Sequence, residues 1–308
     1  MKRRDFVKQK MLGAAALGLG GINLSTAKDI VLNSSSSYSF KLNYAPHLGM
    51  FKNHVGDNPI AQIEFMASEG FTAFEDNEMK KRPVKLQEEI SRTLVKHNMV
   101  MGVFVGHEIS WSKPNLTGKD ISLHEKFLHE IKESIEVAKR VNAKWITVVP
   151  GFMDLKLNIA YQTANVIEVL KKACAILEPH GIIMVLEPLN FRDHPGLFLS
   201  KSPQAFEICK AVDSPSCKIL FDIYHQQIQE GNLIPNIEAS WDEIAYFQVG
   251  DNPGRKEPTT GEINYKNVFK YIHNKSFNGV IGMEHGNSLD GKEGEVAVIN
   301  AYKTSDRF

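Results

Sequence analysis

From residue 40 onward, short apolar runs alternate with longer amphipathic stretches. The runs at 40–44, 73–75, 101–105, 145–149, 182–186, 218–221, 244–248 and 280–283 predict eight strands. Several are nearly continuous in hydrophobic residues, as strands covered on both faces of a parallel sheet are. Helical spacing fills the intervals. The stretch 60–69 stops at Gly70, a suitable C-cap, and 84–96 follows Pro83, which suits a first turn. Residues 123–140 carry Phe127, Leu128, Ile131, Ile135 and Ala138 on one face. Further helices are predicted at 160–177, 203–212, 237–241, 265–274 and 294–304. Strand–helix units recurring roughly every 30–40 residues, eight in number, predict a closed (β/α)8 TIM barrel over residues 40–308 rather than an open doubly wound sheet.

The stretch before the barrel reads differently. Residues 1–27 begin with Lys2, Arg3 and Arg4, pass into a Gly/Ala-rich apolar stretch, and end on Ser25-Thr26-Ala27. Arg3-Arg4 followed by Phe6 and Lys8 resembles a twin-arginine export signal, which implies an exported, periplasmic protein. The apolar part is short and glycine-rich for a membrane span, so no stable span is expected in the mature protein. Residues 28–39, with Ser34 to Ser37, read as a flexible linker.

Composition narrows the function. Basic and acidic residues balance at 36 each, and without residues 1–27 they stand at 31 and 35. No basic excess is left to neutralise phosphates, which argues against a nucleic-acid partner. The three cysteines, Cys174, Cys209 and Cys217, lack metal-type spacing and read as buried thiols. No glycine-rich phosphate loop follows any strand, which removes dinucleotides and ATP as expected ligands. A homo-oligomer is compatible with the sequence.

Barrel enzymes build their sites at the C-terminal ends of the strands. Four consecutive strands here end on side-chain oxygens: Glu187, Asp222, Gln248 and Glu284. One buried carboxylate could be a salt bridge or a helix cap. Three converging on one barrel face repel one another, and a divalent cation is the simplest compensation. An all-oxygen set favours Mg²⁺ or Mn²⁺ over a structural zinc. Arg255, in the loop after the seventh strand, could grip a substrate carboxylate or pair with Glu257 or Glu262. Asn43, Tyr44, Glu75, His107 and Glu108 at other strand ends are weaker candidates to line a pocket, and Trp111 could form an apolar wall.

Leu186-Glu187-Pro188-Leu189-Asn190, Phe221-Asp222-Ile223-Tyr224-His225-Gln226 and Gly282-Met283-Glu284 resemble the hydroxypyruvate isomerase branch of the xylose isomerase-like barrels. The most specific segment runs from Gln248 through Asp251-Asn252-Pro253-Gly254-Arg255 and Gly261-Glu262-Ile263-Asn264 to Tyr265. The resemblance implies a divalent metal held by Glu187, Asp222, Gln248 and Glu284. It also implies a small-molecule partner, a sugar or a hydroxy-keto acid, and that Glu187 and Glu284 are the acid/base pair of its aldose–ketose type isomerisation through an enediolate. In related epimerases a histidine at the place of His225 contacts a substrate oxygen. Tyr246 stands where a histidine is expected from the resemblance. The readings kept beside an isomerase are a sugar epimerase or dehydratase of the same superfamily and a non-catalytic exported sugar-binding protein. An endonuclease IV-like enzyme would need a histidine-rich zinc cluster and basic loops, which this sequence lacks.

Overall fold

The structure, a computed structural model, describes residues 38–308. Residues 1–27, read from the sequence as an export signal, and most of the expected linker lie outside the described residues. Tyr38, at the linker's end, donates its hydroxyl to the Lys303 carbonyl.

Eight short parallel strands form the barrel: β1 (Asn43–Ala45), β2 (Ala73–Phe74), β3 (Val100–Met101), β4 (Trp145–Val148), β5 (Ile183–Leu186), β6 (Cys217–Asp222), β7 (Ile244–Gln248) and β8 (Val280–Gly282). Six of them pair in the order β1-β8-β7-β6-β5-β4, and β2 pairs with β3. Single bridges join the two sheets. His47↔Glu75 links the β1 and β2 ends, and Val105↔Thr147 links the β3 end to β4. The ring is therefore closed, as the eight-unit pattern predicts.

The helices are α1 (Lys52–Val55), α2 (Pro59–Ser68), α3 (Val84–Lys96), α4 (Ile121–Val141), α5 (Ile159–Leu177), α6 (Ser202–Val212), α7 (Ile223–Gln229), α8 (Leu233–Ser240), α9 (Tyr265–Asn274) and α10 (Gly291–Ser305). Side-chain caps set several starts: Asn58 accepts from Ile60 N and Ala61 N, Asp120 from Ser122 N, and Asn158 from Ala160 N. The sequence pattern does not anticipate α1 and α7, which are too short to show a period. The first strand begins three residues later than predicted, because Phe40 packs outward against Phe71 instead of pairing.

Alternation along the strands sorts the core into two layers. Phe221, Phe247 and Ile281 face outward into the large cluster between sheet and helices. Ala45, Ala73, Val103, Trp145, Val185, Leu220, Tyr246 and Val280 face inward and fill the lumen. Two residues further along each strand, the same inward face carries Glu75, Glu187, Asp222, Gln248, Gly282 and then Glu284. The lumen plug therefore forms the floor of the site.

Candidate active site

Asp222 ends β6 and caps α7. Its Oδ1 accepts from Tyr224 N at 2.8 Å and His225 N at 3.3 Å. That occupies one oxygen and turns Oδ2 toward the barrel mouth, 3.1 Å from Arg255 Nη2. The cap and the candidate ligand are thus the same residue, with one oxygen serving each role.

His225 is buried on the first turn of α7. Its Nδ1 faces two donors, Asn190 N at 3.3 Å and Asn190 Nδ2 at 2.7 Å. The Asn190 amide is oriented by its Oδ1, which accepts from Arg192 N and Asp193 N. Nδ1 is therefore the acceptor, and the neutral ring carries its proton on Nε2. Burial lowers the His225 pKa to about 4, which keeps the ring neutral at physiological pH. Nε2 has no hydrogen-bond partner and lies 3.6 Å from Asp222 Oδ2 and 3.9 Å from Glu187 Oε1.

Glu187, just past β5, and Glu284, just past β8, are both pushed toward their protonated forms. For Glu187 the causes are burial, then Glu284 and Asp222; for Glu284 burial dominates, with Arg255 opposing it. Glu284 Oε2 accepts from Arg255 Nη2 at 2.6 Å and Oε1 from Asn77 Nδ2 at 2.9 Å. Arg255 also donates from Nε to the Glu284 carbonyl at 3.1 Å, and its guanidinium lies over Tyr224 at 4.9 Å. Burial works against its charge, but Glu284, Asp222 and Glu187 outweigh it and raise its pKa.

The loop from Val249 to Asn264 places Arg255 by its own internal bonds. Buried Asp251 accepts from Gly261 N at 2.8 Å and Ile263 N at 3.1 Å, and Glu257 accepts from Ser288 N at 2.8 Å. Glu262 accepts from Asn252 Nδ2 at 2.7 Å. Neither Glu257 nor Glu262 pairs with Arg255, so that sequence-based alternative gives way to the Asp222 and Glu284 pairs.

Gln248 ends β7 with its Nε2 donating to Glu75 Oε1 at 2.8 Å. Its Oε1 is buried without a donor. Glu75 also accepts from Tyr246 Oη at 2.7 Å. Burial and the nearby Glu284 push Glu75 up to about 8, while those two donors pull it back.

Among the described residues, Glu187, Asp222 and His225 each offer a ligand atom within 4.8 Å of the others, so this buried group could bind a metal. The His225 tautomer presents N–H rather than a lone pair to it, which suits a donor to substrate better than a ligand. The carboxylates and the unpartnered Gln248 Oε1 are chemically suited to a hard divalent cation.

A cavity of about 270 Å³ opens beside these groups, lined by residues that include His47, Glu75, Asp76, Asn77, Arg82 and Glu284. On the opposite side, half-exposed Trp111 stacks on His194 at 5.2 Å, and His194 lies 5.4 Å from the His225 ring.

The family model described as xylose isomerase-like TIM barrel matches residues 63–302. The chain belongs to the xylose isomerase-like TIM barrel family. It is 35% identical to hydroxypyruvate isomerase of Escherichia coli (strain K12) over 52% of this chain and 62% of that protein. It is 31% identical to 2-oxo-tetronate isomerase of Cupriavidus necator over 52% of this chain and 61% of that one. The matched part is thus under two thirds of each relative. Among solved structures, an AP endonuclease, family 2, from Brucella melitensis superposes with a TM-score of 0.73 at 24% identity, covering 82% of this chain and 96% of that one. A 3-keto-D-glucoside 4-epimerase from E. coli does so with a TM-score of 0.71 at 18% identity, covering 85% and 99%. Identities this low establish the shared barrel and nothing of the chemistry.

Within this family barrel, all six strongest sequence candidates, Glu187, Asp222, His225, Gln248, Arg255 and Glu284, lie at the C-terminal mouth. The weaker candidates divide. Glu75 faces the lumen, but Tyr44 points outward, donates to Asp306 Oδ1 at 3.0 Å and packs on Phe269 and Tyr302. Asn43 bonds Gly279 at the opposite end of β8. His107 is buried against Phe127, its Nε2 accepting from Val149 N, and Glu108 is exposed beside Lys126. Sequence reading missed His47, Asn77, Asn190 and His194. His47, Asn77 and Asn190 each fall within three residues of a strand-end candidate; His194 carries no local signal.

No helix among the described residues is long and apolar enough to cross a membrane.

Proposed function

We propose that this chain is an isomerase that moves a proton between adjacent carbons of a short hydroxy-2-oxo acid through an enediolate. The observation that carries this reading is the convergence of two glutamates, buried Glu187 and partly buried Glu284, on the barrel mouth with Asp222 and the unpartnered Gln248 Oε1. The relatives named for hydroxypyruvate and 2-oxo-tetronate support the substrate class, since both are 2-oxo acids.

Glu187, Asp222, Gln248 and Glu284 would hold a divalent cation, Mg²⁺ or Mn²⁺. When bound, such an ion supplies positive charge against the negative charge that develops on the substrate oxygens. Glu187 and Glu284 remove and return the proton. Burial and mutual repulsion favour a state in which one of them is protonated, and an acid facing a base requires that. His225 donates its Nε2–H to a substrate oxygen. Arg255 binds the substrate carboxylate: its Nε and Nη2 are engaged within the protein, leaving Nη1 for an incoming anion. Trp111 and His194 form one wall. We further propose that residues 1–27 direct export to the periplasm by the twin-arginine route.

The test is solvent exchange. Protein supplied with Mg²⁺ or Mn²⁺ in D₂O is incubated with hydroxypyruvate, 2-oxo-tetronate, ketoses and aldoses. Deuterium should enter the carbon beside the carbonyl of a 2-oxo acid, and Glu187→Gln should slow that entry by about 100-fold or more. Absence of exchange with every compound would overturn the isomerase reading in favour of a binding protein.

A further inference from the structure

Tyr246 lies one inward position below Gln248 on β7, and Glu75 reaches both from the end of β2 on another side of the barrel. All three are buried: Glu75 is 2% exposed, Tyr246 0% and Gln248 1%. Gly282 makes room for the carboxylate, since a Cβ at that position would overlap Glu75 Oε2.

The hydrogen bonds in this cluster have a direction. Val103 N–H donates to Tyr246 Oη at 3.3 Å. The single Tyr246 proton is therefore turned to Glu75 Oε2, at 2.7 Å. A cation held at the site favours the ionised form of Glu75, which only accepts, so Oε1 takes its proton from Gln248 Nε2, at 2.8 Å. The two ends of the Gln248 amide are thereby distinguished. Nε2 is held inward and Oε1 is left facing the site, buried and without a donor. Were the amide reversed, Gln248 Oε1 would stand against Glu75 Oε1, acceptor against acceptor.

A purely structural role explains this poorly. A carboxylate in the lumen costs stability through desolvation, and an apolar side chain would fill the space without that cost. Position 246 likewise needs only the Phe ring for packing against Trp145, 5.7 Å away. The hydroxyl and the carboxylate add orientation.

We infer that Glu75 and Tyr246 are positioning residues that select which end of the Gln248 amide faces the site, so that it presents Oε1 to a divalent cation. This rests on the proposed metal reading of Gln248. Tyr246 thereby acts on a ligand from beneath and does not line the pocket.

The test measures Mn²⁺ affinity directly, by electron paramagnetic resonance of free Mn²⁺, with melting temperature recorded for each variant. Glu75→Gln is the informative change. Gln at 75 satisfies Tyr246 by accepting with its oxygen and then donates its amide to position 248, which reverses the Gln248 amide. Mn²⁺ binding should weaken by about 10- to 100-fold, the scale of outer-sphere ligand support. Tyr246→Phe, which removes one atom and keeps the ring, should weaken it by a smaller factor, about threefold to tenfold. In a Gln248→Ala background, adding Glu75→Gln should change affinity by less than about twofold, because the group being oriented is gone. Parent-like affinity in both Glu75→Gln and Tyr246→Phe overturns the inference while leaving the metal site standing. A Glu75→Gln loss that persists at full size without Gln248 also overturns it, because it assigns Glu75 a different role. A parent protein that does not bind Mn²⁺ overturns the metal reading and this inference together.

Discussion

Arg255 donates through Nη2 to the Glu284 carboxylate at 2.6 Å, although the two residues follow different strands, β7 and β8. The same nitrogen lies 3.1 Å from Asp222. The guanidinium therefore competes for oxygens that the proposed function assigns to a divalent cation, and it is the positive group nearest to them. Gly250 permits this placement, because a Cβ there would stand 2.9 Å from Arg255 Cγ.

Two effects of Arg255→Met follow, of opposite sign. Mn²⁺ should bind more tightly to the variant, as the competing cation is gone. KM for a 2-oxo acid should rise by about 10- to 100-fold, the value of a charge-assisted hydrogen bond of about 1.5–3 kcal/mol. Titration with Mn²⁺ and steady-state kinetics check the two separately. Weaker Mn²⁺ binding in the variant would contradict the competition.

The metal-free protein should lose stability as pH rises from 6.5 to about 8. Burial holds the Glu75 pKa at about 8, with Glu187 and Glu284 also raised, so the folded state binds more protons than the unfolded state across that window. Stability contributed this way is lost as pH climbs through the folded pKa. Buried His107 and His225, lowered to about 4, and His285, lowered to about 3, act in the opposite sense. Their contribution is complete above about 6.5, so it does not mask the decline. Melting curves across pH 6–9 should show the fall, a smaller fall in Glu75→Gln, and a flatter profile with Mn²⁺ added. An unchanged slope in Glu75→Gln would show that Glu75 does not carry it.

Gly282→Ala should destabilise the fold by about 1–3 kcal/mol, the range for overpacking a closed core. The added methyl group enters the space of Glu75 Oε2 and approaches Gln248 Cγ. Urea unfolding measures the loss. Combining it with Glu75→Ala, which vacates that space, should restore part of the stability; a strictly additive pair would place the strain elsewhere.

Export is tested by fractionation. The full chain should accumulate in the periplasm of a host with a twin-arginine translocase, and Arg3→Lys/Arg4→Lys should retain it in the cytoplasm. Equal distribution of both forms would remove the export reading of residues 1–27.

Much of the candidate site was legible in the sequence because a strand has period two. Once Val185, Leu220, Tyr246 and Val280 are taken as inward, Glu187, Asp222, Gln248 and Glu284 follow on the same face, whatever the details of packing. Those residues and the eight-unit repeat were determined locally by polarity and spacing. What the three dimensions decided are relations between residues far apart in the chain. Glu75 meets Gln248 across 173 positions, and Asn77 meets Glu284 across 207. Whether Arg255 would pair with its loop neighbours or with the site carboxylates, and which nitrogen of His225 would carry the proton, also depended on the closed ring. A hydrogen bond has a donor and an acceptor, and a sequence contains both without saying which will face which. Barrel closure brings them together, and burial then leaves each buried group to find its partner inside the protein.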